Sequence, residues 1–147
     1  MYKDTVLIFD QDPHIIWTLK VLLEVEKYIV IALSDIDRLK KNFKEFEISA
    51  LITEYKVNGD CVVDHIRELK KDFPELYVMV ITDQDIEEKD YKEILRSGVE
   101  DIFTKPFSTE KILLQLKKGL AKRRQSIQRN KVSSNYPLLI ELGNRRE

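Results

Sequence analysis

A doubly wound α/β domain, with five parallel strands and helices on both faces, is the fold class that this sequence predicts. Two observations carry the expectation. Five short apolar runs alternate with five segments of helical period, and repeated strand–helix units pack as a parallel sheet because right-handed crossovers lay each helix against it. Four of the runs also end on a residue able to do chemistry. Asp10 follows residues 6–9, Glu54 follows 50–53, Thr82 follows 78–81 and Lys105 follows 102–104. In an open parallel sheet the carboxyl ends of neighbouring strands converge on one crevice, so a carboxylate pair, a hydroxyl and an ammonium are expected to meet there.

The elements follow in order. After the first strand, Asp12-Pro13 marks a helix start, since Asp caps exposed backbone N–H groups and Pro is tolerated at the first helical position. Ile15, Ile16, Leu19, Leu22 and Leu23 then recur at helical spacing. Residues 28–33 are β-branched and continuously apolar, as a strand covered on both faces should be. Residues 35–46 return to a helical pattern with Ile36, Leu39 and Phe43. The alternation continues through a strand at 48–54, a helix over 60–73, a strand at 77–82, a helix over 86–97, a strand at 100–104 and a last helix from Ser108. Gly98 stands where a left-handed helix terminator is wanted, and Pro74 closely follows the third helix.

Ile112, Leu113, Leu116 and Leu120 form the apolar side of the last helix. Lys122, Arg123, Arg124, Arg129 and Lys131 then arrive with no acid between them. Residues 132–135, Val-Ser-Ser-Asn, read as a loop, and residues 136–142 as an apolar docking segment or linker stub. The expected organisation is one domain over 1–121 and a basic helix extension with a tail or linker over 122–147.

The bulk composition agrees with one domain: 147 residues at 43% hydrophobic content suffice for a single core. With 25 basic against 26 acidic residues, total charge gives no reason for a nucleic-acid or anionic-membrane partner. The basic run lacks interleaved aromatics and reads as a solvated helix face. Cys61 is the only cysteine, and Met1-Tyr2-Lys3-Asp4 leads straight into a strand, so neither a disulfide framework nor a signal-peptide core is expected and the chain reads as cytoplasmic. No apolar stretch approaches the roughly 20 residues that span a bilayer. Several single residues have structural readings. Asp12 is a helix cap, His14 and His65 are surface positions without zinc-ligand spacing, Cys61 is a small hydrophobe early in the third helix, and Trp17 is a partly exposed packing residue.

Three segments together resemble the receiver domains of two-component response regulators: Val6-Leu-Ile-Phe-Asp-Gln-Asp-Pro13, Val80-Ile-Thr82 and Asp101-Ile-Phe-Thr-Lys-Pro-Phe107. The resemblance covers residues 4–121 and implies the flavodoxin-like receiver fold. It also implies a site in which two acids after the first strand hold a divalent cation and an Asp after the third accepts a phosphoryl group. The hydroxyl after the fourth strand and the Lys after the fifth then contact that group. The residue types suit the chemistry: Mg²⁺ prefers oxygen ligands, and phosphoryl transfer needs a carboxylate nucleophile and positioned positive charge.

Asp10, Thr82 and Lys105 match this pattern. Gln11 replaces the second acid, and Glu54 falls on the phosphoacceptor position where the family has Asp. A Mg²⁺ site on Asp10, Gln11 and Glu54 is therefore expected to be weak or absent. The longer Glu54 side chain is expected to reach toward Lys105, with a purely structural ion pair as the plainer reading. Residues 54–59 lack the family's Met-Pro step and run a few residues short, and Ile102 takes the place of the switch Tyr or Phe.

The expected function is a non-enzymatic signal-transduction module, a phosphorylation-independent pseudo-receiver acting through protein–protein interaction. Two alternatives stand beside it. One is an active Mg²⁺-dependent phosphoacceptor taking phosphate from a histidine kinase in a phosphorelay, with Glu54, Thr82 and Lys105 as the reacting set. The other is the regulatory domain of a transcription factor or other effector. Expected partners are a histidine kinase or another signalling protein, and a second copy through helix 4, strand 5 and helix 5, where Leu113, Leu120 and Ile127 recur at heptad spacing.

Overall fold

The computed structural model describes the backbone of residues 4–57, 59–83 and 85–146, and side chains as far as Lys131 apart from Asp60. Five parallel strands, β1 (Thr5–Phe9), β2 (Ile29–Leu33), β3 (Ala50–Glu54), β4 (Tyr77–Thr82) and β5 (Asp101–Thr104), form one sheet in the order β2-β1-β3-β4-β5. Helices α1 (Pro13–Val25), α2 (Leu39–Glu45), α3 (Val63–Asp72), α4 (Glu88–Arg96) and α5 (Thr109–Arg146) connect and follow them. The chain leaves β1 toward β2 and returns on the other side to β3, so the strand order reverses between β1 and β3. That reversal opens the crevice at their carboxyl ends.

The two-residue period of the strands sorts the core. Leu7, Phe9, Leu51, Val78 and Val80 face one side and pack with Leu39 and Phe43 of α2, Ile66 and Leu69 of α3 and Ile94 of α4. Val6, Ile8, Ala50, Ile52, Met79 and Ile81 face the other and pack with Leu19 and Leu23 of α1 and Ile112, Leu116 and Leu120 of α5. Each large aliphatic side chain so buried contributes about 1.5–3 kcal/mol. The inner strands β1, β3 and β4 are buried almost throughout because both faces of the sheet are covered there, whereas β2, expected to be covered on both faces, is an edge strand that leaves Ile29 and Ala32 exposed. Register brings their ends level: Phe9 lies opposite Leu33 and Thr53, Glu54 opposite Ile81, and Thr82 opposite Thr104.

Several boundaries differ from the sequence expectation. Asp60 does not open the third helix: Asp60–Cys61 pairs antiparallel with Lys56–Val57 in a two-residue ribbon, and α3 begins at Val63. The Asn58-Gly59 dipeptide is a strong hairpin signal, Gly59 takes φ +84°, and Val57 and Val62 are buried on either side. Cys61 therefore sits on the ribbon, half-buried, and not inside a helix. Residues 36–38 form a 3-10 turn before α2. Helix α4 starts at Glu88, two residues later than its apolar pattern suggests, and Ile86 packs against the core from the loop ahead of it.

The loop expected at 132–135 is helical, and α5 runs on to Arg146. Ser and Asn lower helix propensity by at most about 0.7 kcal/mol each, too little to end a helix already nucleated over the domain. The side chains of 136–142 lie outside the described residues. Leu113 and Leu120, which carried the heptad argument for dimerisation, pack into the core of their own domain. Among the described residues, no helix is long and apolar enough to cross a membrane.

Gly119 shows how tightly α5 lies on the sheet. A Cβ there would stand 2.2 Å from Cε1 of the Tyr77 ring, itself buried at the start of β4. The Tyr77 hydroxyl donates to Asp101 Oδ2 at 2.5 Å, and Gln115 Nε2 of α5 donates to Asp101 Oδ1 at 2.9 Å, so the ring has no room to retreat. Gly119→Ala is therefore expected to destabilise the fold by about 1–3 kcal/mol, although Ala gains about 1 kcal/mol of helix propensity over Gly. Urea denaturation of the two proteins checks this; equal or higher stability of the variant would show that the ring moves aside freely.

Candidate functional site

The crevice is built from the ends of β1, β3, β4 and β5 and from the loop that enters α1. Asp10 follows Phe9 and is only 2% exposed. Its Oδ1 accepts the backbone N–H of Asp12 at 2.8 Å, which folds the loop back on itself. Asp12 then caps α1 by accepting the N–H of His14 at 2.9 Å, with Pro13 at the first helical position. Asp12 is thus committed to the helix, as its sequence position suggests. His14 and His65 are exposed on their helices.

Glu54, the last residue of β3, extends into the same space. Lys105 follows β5 and is tied to β4 by its N–H, which donates to the Thr82 carbonyl at 2.8 Å. Its ammonium stands 3.5 Å from Asp10 Oδ2 and 3.6 Å from Glu54 Oε1. The remaining Glu54 oxygen, Oε2, accepts the backbone N–H of Gln11 at 3.4 Å. Each carboxylate thus turns one oxygen to Lys105 and the other to a backbone N–H of the β1–α1 loop. Burial raises the Glu54 carboxyl above the usual carboxylate range and the neighbouring Asp10 charge adds to this, while Lys105 and the Gln11 N–H oppose it.

Thr82 is buried at the end of β4 and lines a cleft together with Glu54, Tyr55, Lys56, Asp83, Asp85, Ile86 and Asp90. The structure therefore brings Asp10, Glu54 and Lys105 into mutual contact and sets Thr82 on the adjoining wall. Gln11 enters through its backbone, and its side chain is exposed. Tyr55, Asp83, Asp85 and Asp90 escaped the sequence reading. Tyr55 is buried directly after Glu54, and burial followed by the Asp90 charge pushes its hydroxyl up to about 12; a hydrogen bond to Asp90 links this end of β3 to α4. No local pattern marks that pairing, because residue 55 is in a strand connection and residue 90 in the first turn of a helix.

The donor set does not suit a hard divalent cation. The two carboxylates are drawn to an internal ammonium, and the third position carries an amide. Mg²⁺ keeps an octahedral shell of oxygens and waters, and here Lys105 occupies the ground between the two acids.

The fold and these strand ends define a doubly wound α/β protein whose functional crevice lies at the β1/β3 switch point. The family model of the response regulator receiver domain matches residues 6–117. The chain belongs to that family of signal-transduction modules. No curated protein matches it. Among solved structures it is similar to the beryllofluoride-activated NtrC4 receiver domain dimer, with 24% identity and a TM-score of 0.75 over 81% of this chain and 98% of that one. It is also similar to a CheY-like receiver domain protein from Methanospirillum hungatei, with 18% identity and a TM-score of 0.78 over 84% and 98% of the two chains. NtrX from Brucella abortus in complex with ADP aligns at 19% identity and a TM-score of 0.80 over 90% of this chain but 30% of its own.

Proposed function

We propose that this chain is a pseudo-receiver, a signalling module that keeps the receiver frame but works through protein–protein contacts without a phosphorylation cycle. One observation carries the reading: the Lys105 ammonium bridges Asp10 and Glu54, whose other oxygens are satisfied by the N–H groups of Asp12 and Gln11. In a working receiver, Lys answers the charge of an incoming phosphoryl group. Here the Glu54 carboxylate, one methylene longer than Asp, already supplies that charge. Thr82 and Lys105 belong to the retained frame, and Asp10, Gln11 and Glu54 make a weak metal site at most.

A partner then reads a fixed surface. The face made by α4, β5 and α5 exposes Tyr91, Leu95 and Leu114 and is the surface we assign to a kinase, an effector or another signalling protein. Pairing with a second copy there loses the support of Leu113 and Leu120, which face inward. The division into a receiver over 1–121 and an extension over 122–147 fits this role. The extension is anchored where Arg124 meets Asp4 at 2.8 Å and Asn130 meets Glu75 at 2.6 Å.

The test is incubation of the full chain with acetyl phosphate and Mg²⁺, followed by intact-mass measurement. No phosphoryl adduct is expected. A base-labile adduct on Glu54 that disappears in Glu54→Gln would overturn the reading in favour of an active phosphoacceptor. That second reading has one observation behind it, the open cleft beside Glu54 that Thr82 lines. Regulation of an attached effector is compatible with either, since in NtrX the matching region is a minor part of a longer chain.

A further inference from the structure

Helix α1 has two apolar sides, and the fold uses only one. Leu19 and Leu23 are fully buried against the sheet. On the opposite side Trp17, Val21 and Val25 recur every four residues, with Trp17 67% and Val25 71% exposed, and exposed Ile29 continues the series onto the edge strand β2. Four of the eight large hydrophobic residues exposed among the described residues fall on this one stripe. A helix apolar on both sides is ordinarily covered on both sides, and a contiguous exposed apolar stripe marks an interaction surface.

The charges on the stripe say what covers it. Lys20 and Glu24 lie between the apolar positions, 3.8 Å apart and both half exposed. The strip is neutral, which suits neither a strongly acidic nor a strongly basic partner. Its order, however, is complementary to its own reversal. A two-fold axis passing beside Val21 and Leu22, in the C-terminal half of α1, runs a second copy antiparallel, and such an axis makes every contact twice. Lys20 then meets Glu24 of the second copy at two symmetric places, while Trp17 lies against the Val25 end of the other helix and the two Val21 side chains meet near the axis.

We propose that the chain self-associates through this α1 face as a two-fold dimer. The contact stands at the β2 edge of the sheet, and β5 is the opposite edge, so the α4–β5–α5 surface stays open to a different partner. The inference is independent of whether Glu54 takes phosphate.

Trp17 is the only tryptophan of the chain and lies within the proposed contact, so it reports directly. The full chain is followed from low to high micromolar concentration by sedimentation velocity and by tryptophan emission. Mass is expected to rise from 17.4 kDa toward twice that value, with emission moving to shorter wavelength over the same range. Val21→Lys, at an exposed position that leaves the core intact, is expected to weaken association at least tenfold. Lys20→Glu and Glu24→Lys are each expected to weaken it by about threefold or more, and the double reversal to restore it. The proposal is overturned by a single-chain mass with unshifted emission at every concentration. It is equally overturned by a dimer that survives Val21→Lys and is lost in Leu114→Lys.

Discussion

The paired substitution Gln11→Asp and Glu54→Asp is expected to give a pocket that binds Mg²⁺ and takes up phosphate from acetyl phosphate more readily than the parent chain. Shortening residue 54 by one methylene draws its carboxylate back from Lys105, which now lies 3.6 Å away, and frees the ammonium to face an incoming anion. The second change adds a charge beside Asp10. Unit charges about 4 Å apart interact by about 4 kcal/mol at an effective dielectric of 20, so even after desolvation Mg²⁺ affinity is expected to rise more than tenfold. Isothermal titration with Mg²⁺ and intact-mass measurement read the two effects separately. If the double variant binds metal but takes no phosphate, the shortened 54–59 connection with its ribbon, or Ile102 at the switch position, is a further lesion. If it does neither, the proposal that Gln11 and Glu54 silence the site is overturned.

The second large effect concerns Lys105. Removing one partner of a buried ion pair costs about 3–5 kcal/mol because the other charge is left uncompensated. Lys105 faces nearly buried Asp10 and partly exposed Glu54, so Lys105→Met is expected to lose about 2–4 kcal/mol at pH 7, a figure reduced for the partial exposure. The loss depends on pH with a definite sign. Glu54 is already raised above the carboxylate range by burial and by Asp10. Its favourable contribution is therefore complete below its unfolded value and is lost as pH rises through the folded one. Without Lys105 the folded value moves higher still, so the deficit is greatest near neutrality and shrinks below about pH 4, the unfolded carboxylate value. Glu54→Gln, which removes the titrating group, is expected to stabilise the protein at pH 7 and to be neutral below pH 4. Urea denaturation at the two pH values checks both variants. A deficit in Lys105→Met that does not vary with pH would assign the role of Lys105 to packing of its alkyl stem.

Much of this molecule can be read from the chain alone, and the places where reading fails share a cause. The β1–α1 junction is legible because its signals are local: Asp12 and Pro13 act on neighbouring backbone, and the cap forms where expected. The ribbon after β3 was legible too, through Asn58-Gly59, but the helical pattern that follows obscured it. The Tyr55–Asp90 contact and the collision that reserves residue 119 for Gly leave no local trace, since each joins residues far apart in sequence. Leu113 and Leu120 show the opposite failure. A seven-residue spacing exists, but the helix spends those positions on its own sheet.

The sequence by itself determined the five-unit parallel sheet, and with it the convergence of Asp10, Glu54, Thr82 and Lys105 at one end. Alternation and strand-end position depend on each segment's own periodicity and on the handedness of the crossovers. Only the tertiary structure decided that Lys105 lies between two carboxylates whose other oxygens are already bonded, and that Trp17, Val21 and Val25 point away from the core. Those outcomes rest on register across β1, β3, β4 and β5 and on which face of α1 the sheet takes. Both are fixed by packing between segments and not within them.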